Sequence, residues 1–89
     1  MRFDVQKAFE RFSYSPNAQV QISKNVYLTA TFKRRFIDGA VNWYVIARAV
    51  DKQSGVWFSA AASPFKFSNS RAACLRSALF GLAEEFNRR

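Results

Sequence analysis

Apolar residues alternate with polar ones ahead of an Asp-Gly pair and a second long strand pattern follows it, and this arrangement restricts the fold more than any other feature of the chain. Val26, Leu28, Ala30 and Phe32 alternate with Tyr, Thr and Lys, and a second long strand pattern runs from Val41 to Val50. Between them stands Asp38-Gly39, which suits a two-residue hairpin turn because glycine accepts the positive φ that such turns require. Val20 and Ile22 extend the pattern upstream, with a turn or a bulge expected at Ser23-Lys24-Asn25. Asp51-Lys52-Gln53-Ser54-Gly55 reads as the next turn, and Val56 to Ala62 as a further strand ended by Ser63-Pro64.

Helical patterns flank these strands. Val5, Ala8, Phe9 and Phe12 fall at i, i+3, i+4 and i+7, with Asp4 placed to cap the first turn and Tyr14-Ser15-Pro16-Asn17 placed to end it. Towards the C-terminus Ala72, Leu75, Leu79, Leu82, Ala83 and Phe86 form an apolar stripe on a long helix capped by Ser68 or Ser70. The expected architecture is α+β: a single two-layer domain over residues 1–89, with an N-terminal helix, a three- to four-stranded antiparallel sheet and a long C-terminal helix packed on one sheet face. A hydrophobic content of 49% supplies the core.

Parity along the strands sorts side chains onto two faces. One face collects Val26, Leu28, Ala30, Phe32, Trp43, Val45, Ala47, Ala49, Val56, Phe58 and Ala60, whose alanines leave room for helices. The other collects Tyr27, Thr29, Thr31, Lys33, Arg35, Tyr44, Ile46, Arg48, Trp57, Ser59 and Ala61. A slip of one residue would exchange the faces. Arg34 shares the parity of Phe32, so the strand is expected either to bulge there or to have left the core.

Composition directs this second face towards an anionic partner. The chain has 14 Lys and Arg against 6 Asp and Glu, a formal charge of +8, and ten Phe, three Tyr and two Trp. Aromatic rings stack on bases while cations neutralise phosphates, so Tyr27, Tyr44 and Trp57 beside Lys33, Arg34, Arg35 and Arg48 are candidates for sequence-tolerant binding of single-stranded DNA or RNA, in preference to duplex. The same face also suits an adaptor or inhibitor that grips an acidic protein, or a dimer interface, because Tyr, Trp and Arg are enriched at protein contacts as well. On the C-terminal helix, Ala73, Cys74, Ser77, Ala78 and Gly81 form a strip of small residues away from the leucines, expected to meet another helix. Ala73, Cys74, Ser77 and Gly81 are the candidates for a homodimer contact.

Catalysis is not expected. Without histidine no Ser-His or Cys-His pair can form, the carboxylates fall at predicted caps, turns and a helix end, and the three glycines stand alone rather than in a phosphate-binding loop. A single cysteine permits neither an intrachain disulfide nor a zinc cluster, so no metal or cofactor is expected, and a reducing cytoplasm fits. No apolar run approaches the roughly 20 residues that span a bilayer, and Met1-Arg2-Phe3-Asp4 lacks the apolar stretch of a signal peptide.

The order helix, three strands, helix resembles that of the double-stranded RNA-binding domain. The last helix of that family is also alanine-rich with basic residues at its start, here Ser70-Arg71-Ala72-Ala73 and Arg76. This chain departs from the family in lacking the loop histidine and in having Arg71 where the family has paired lysines, so the resemblance covers the order of elements and assigns no residue roles. The small, basic, motif-poor composition is also similar to that of proteins encoded by phages and other mobile elements.

Overall fold

The structure, a computed structural model, describes residues 4–62 and 70–87. The elements follow in the order α1 (Val5–Tyr14), β1 (Val20–Gln21), β2 (Val26–Ile37), β3 (Ala40–Asp51), β4 (Trp57–Ala62) and α2 (Arg71–Asn87). The strands form one antiparallel sheet in chain order, β1-β2-β3-β4, and α2 packs across β3 and β4 while α1 packs on α2. The expected α+β architecture is the one observed.

Local chemistry accounts for most of the boundaries. Asp4 Oδ1 accepts from the backbone N–H of Gln6 at 3.0 Å and of Lys7 at 3.2 Å, pairing two of the first-turn amides that no helix can satisfy internally. At α2 the cap is Ser70, whose Oγ accepts from Ala73 N–H at 3.2 Å; Ser68, the alternative, and Ser63-Pro64 lie outside the described residues. Asp38 and Gly39 take φ of 51° and 79°, the two successive positive values of a primed hairpin turn, and β2 and β3 pair without interruption from Ile37↔Ala40 to Val26↔Asp51. Residues 23–25 form a tight turn, closed by Ile22 N–H donating to Val26 O at 3.1 Å.

Because residues directly opposite in an antiparallel pair share a face, the register shows which side the helices cover. Leu28↔Ala49, Ala30↔Ala47 and Phe32↔Val45 lie on one side, and Leu28, Val45, Ala47 and Ala49 are fully buried there against Leu75, Leu79 and Leu82 of α2 and Ala8 and Phe12 of α1. The paired alanines let the helix backbone approach the sheet closely. Arg34 continues this side opposite Trp43 but is exposed, so β2 has left the core at that point and no bulge is present.

Two expectations require correction. The first concerns β4, which begins at Trp57. Val56 belongs to the preceding turn, is 63% exposed, and accepts a hydrogen bond from Asp51 N–H. A register shift between Ala49 and Val50 leaves Ala49↔Ser59 but Val50↔Trp57, so position 58 is the extra residue of a bulge. Positions 59 and 61 therefore pair with the helix-side Ala49 and Ala47, and position 60 pairs with Arg48, the reverse of simple parity.

The second concerns α2. Its buried arc holds Cys74 and Ala78 as well as Leu75, Leu79, Leu82 and Ala83, whereas Ala72, at the margin of that arc in the first turn, is exposed. Cys74 does not lie on the outer side of the helix: it is 3% exposed, and its Sγ donates to Trp43 O at 3.3 Å. Ala73 is exposed, and Ser77 and Gly81 are half-buried. The meeting of α1 and α2 is marked by Arg76, whose guanidinium carbon stands 4.5 Å from the centroid of the Phe9 ring.

Leu79→Ala is expected to cost about 2 to 5 kcal/mol in chemical denaturation, because a fully buried leucine is removed from a layer fixed on both sides; a loss under about 1 kcal/mol contradicts the packing described. Alkylation of Cys74 is expected to be slow even in dilute protein, since the fold itself buries the thiol. Rapid labelling of native protein would show that α2 is seated differently.

Candidate nucleic-acid interface

The side of the sheet away from the helices is built from successive cross-strand sets. Tyr27, Val50 and Trp57 form one set across β2, β3 and β4, followed along the strands by Thr29↔Arg48, Thr31↔Ile46, Lys33↔Tyr44 and Arg35↔Asn42. Tyr27 and Trp57 are two strand spacings apart, about 10 Å, and the set at Tyr44 lies six residues further along β3, about 20 Å away. None of these positions is acidic. The six carboxylates belong to the α1 cap and helix, the hairpin tip, the last position of β3 and the end of α2.

Side-chain contacts organise the end with two aromatics. Arg48 Nη1 donates to Thr31 Oγ1 at 2.9 Å, and its guanidinium carbon lies 6.0 Å from the centroid of the Trp57 ring. The arginine thus spans from β2 to β4 with its planar group held on both sides. Trp57 keeps 56% of its surface exposed while Val50, between the two aromatics, is 6% exposed. The result is a ring presented to solvent on a closed apolar base, with a fixed cation beside it.

The sequence-predicted residues therefore fall into three places. Tyr27, Arg48 and Trp57 are brought together around Val50, and Lys33 with Tyr44 and Arg35 form a second group towards the hairpin. Arg34 stands on the opposite side. Parity alone would have added Val50, whose position in β3 matches that of Arg48, but the hydroxyl of Thr31 as the partner that orients Arg48 has no sequence signal. Also unforeseen is Arg71 at the start of α2, whose guanidinium carbon lies 5.0 Å from the Phe32 ring centroid and 5.7 Å from that of Trp43, so that the cation closes the end of the helix layer. A separate groove of about 620 Å³ runs between α1 and the segment after it, lined by Lys7, Glu10, Arg11, Tyr14 and Gln19, and its mixed charge sets it apart from the sheet face.

The chain matches no family model, and no curated protein or solved structure matches it. Function must then be argued from the chemistry of the surface. Among the described residues no helix is long and apolar enough to cross a membrane.

The two tryptophans should report this geometry separately. Trp57→Phe is expected to shift the remaining emission to the blue and to reduce quenching by iodide, because Trp43 is half-buried beneath Arg71 whereas Trp57 is exposed. Equal quenching of the variant and the parent would show that Trp57 is not the solvent-facing indole.

Proposed function

We propose that this protein binds single-stranded DNA or RNA, with little sequence preference, by laying the strand over the helix-free face of its sheet. The observation that carries the proposal is the Tyr27-Val50-Trp57 set with Arg48 held beside Trp57, on a face without carboxylates in a chain of charge +8. Bases stack on Trp57 and on the half-buried Tyr27 and Tyr44, at about 1 to 3 kcal/mol per base, and Arg48, Lys33 and Arg35 take the phosphates. Every base offers a ring face to stack on, and the side chains of the sheet face contact rings and phosphates and not base edges, so tolerance of sequence follows for the single strand. The role is binding, in a cytoplasmic setting, and the reaction chemistry belongs to whatever acts on the bound strand.

Self-association is part of the proposal in a changed form. A homodimer through α2 would use its outer side, where Ala73, Ser77 and the 57% exposed Phe80 lie, and not the buried Cys74. Phage-like origin stays a matter of composition.

Fluorescence titration with single-stranded oligonucleotides tests the function. If about four phosphates are neutralised, log affinity should fall against log salt with a slope near −3, at roughly 0.7 per contact on single strands. Trp57→Ala is expected to weaken binding by about 1 to 3 kcal/mol with little change of slope, and Arg48→Ala to flatten the slope by about 0.7. Because Arg48 packs on Trp57, the double variant should lose less than the sum of the two. Absence of binding at low salt, with capture of an acidic protein instead, would assign the face to a protein partner.

A further inference from the structure

The β2–β3 hairpin is longer than the layer that supports it. Each strand has 12 residues and so runs about 40 Å at 3.4 Å per residue, whereas the 17 residues of α2 cover about 25 Å. The long axis of the molecule, 43 Å against 24 and 23 Å, matches the hairpin. Past Phe32 the β2 side of the arm is exposed at Lys33, Arg34, Arg35 and Phe36, Phe36 at 76%, as are Asp38, Gly39 and Ala40, while Val41 to Tyr44 on β3 are half-buried and Trp43 is the last of them packed against the core. Pairing nevertheless continues without a break to Ile37↔Ala40 under the Asp38-Gly39 turn, so the projection is a regular two-stranded ribbon.

This ribbon is cationic on both sides. Arg34 stands opposite Trp43 on the helix side, and Lys33 and Arg35 stand opposite Tyr44 and Asn42 on the open side. Phe36, opposite Val41, shares the side of Arg34, and with Arg34, Arg35 and Val41 it lines a shallow hollow of about 200 Å³. A flat anionic ligand meets only one side of a ribbon, while a groove presents phosphates along both of its walls.

We propose that the hairpin arm enters the major groove of duplex DNA, and that the ligand of the whole molecule is a duplex with a single-stranded extension. The second statement rests on the single-strand assignment above; the first does not. A major groove about 12 Å wide admits a two-stranded ribbon, whereas the A-form RNA groove is too deep and narrow, which makes DNA the occupant. Arg34 and Arg35 reach phosphates on opposite walls, and Phe36 meets apolar base surface such as a thymine methyl group.

Fluorescence anisotropy with five labelled probes tests this: a single strand, a blunt DNA duplex, the same duplex with a 5′ overhang and with a 3′ overhang, and a blunt RNA duplex. The overhang should bind at least about tenfold more tightly than either part alone, since the second contact becomes intramolecular. Arg34→Ala with Phe36→Ser should weaken the DNA duplex and overhang complexes by at least about fivefold and leave single-strand binding unchanged. Both residues are exposed, and circular dichroism should show the variant folded. Unchanged duplex binding by the variant, an equal fall in single-strand binding, or RNA duplex bound as tightly as DNA would overturn the arm assignment. Duplex binding that depends on Arg34 and Phe36 without any single-strand binding would uphold the arm and overturn the sheet-face assignment.

Discussion

Contact of Leu75, Leu79 and Leu82 with Leu28, Val45, Ala47 and Ala49 decides which side of the sheet faces solvent, and the other surface properties depend on it. Burying these apolar groups is the main favourable term for a chain of this size, and there are enough of them for one layer only. Phe12 and Ala8 of α1 join the same layer, so both helices lie on one side. A helix on the other side would have to cover Arg48, Thr29 and Thr31 and leave their polar groups without water, at a cost no available contact offsets.

Charge follows the same division. Carboxylates sit on the helices, at the hairpin tip and at the end of β3, while the open side carries Lys33, Arg35 and Arg48 with no acid among them. Arg48 is held by Thr31 and by the Trp57 ring, so the cation that binding would use is oriented before a ligand arrives, which lowers the entropic cost of recognition. The proposed stacking surface and the ribbon arm share β2 and β3: the supported half, with Trp57 of β4 beside it, presents Tyr27, Val50 and Arg48, and the projecting end presents Lys33, Arg34 and Arg35 on its two sides.

Much of this was legible in the sequence because β2 alternates from Val26 to Lys33 and Asp38-Gly39 fixes the turn that follows, which together pin the register of β3 and with it the composition of each face. Capping by Asp4 was equally readable, since a short oxygen-bearing side chain before an apolar period has one common use, whereas at α2 two serines, Ser68 and Ser70, met that description and only the structure chose Ser70. The bulge in β4 was not. A run of Trp-Phe-Ser-Ala-Ala-Ala has no alternation to violate, and small residues fit either face, so parity carried no information about Ser59 and Ala61. Cys74 and Ala78 were misplaced for the same reason: small apolar side chains are compatible with both burial and exposure, and a stripe drawn through leucines alone underestimates the buried arc. The bond from Arg48 to Thr31 joins residues 17 apart and exists only once the strands are paired.

The central claim is that the helix-free face, and neither helix, receives the ligand. Backbone and side-chain NMR shifts of labelled protein, followed during titration with a short oligothymidylate, measure this most directly. The account predicts perturbations at Tyr27, Thr29, Arg48, Val50 and Trp57, with the outer side of α2 at Ala73 and Phe80 unaffected. Shifts concentrated on α1 and α2, with the Trp57 indole unmoved at saturation, would contradict it.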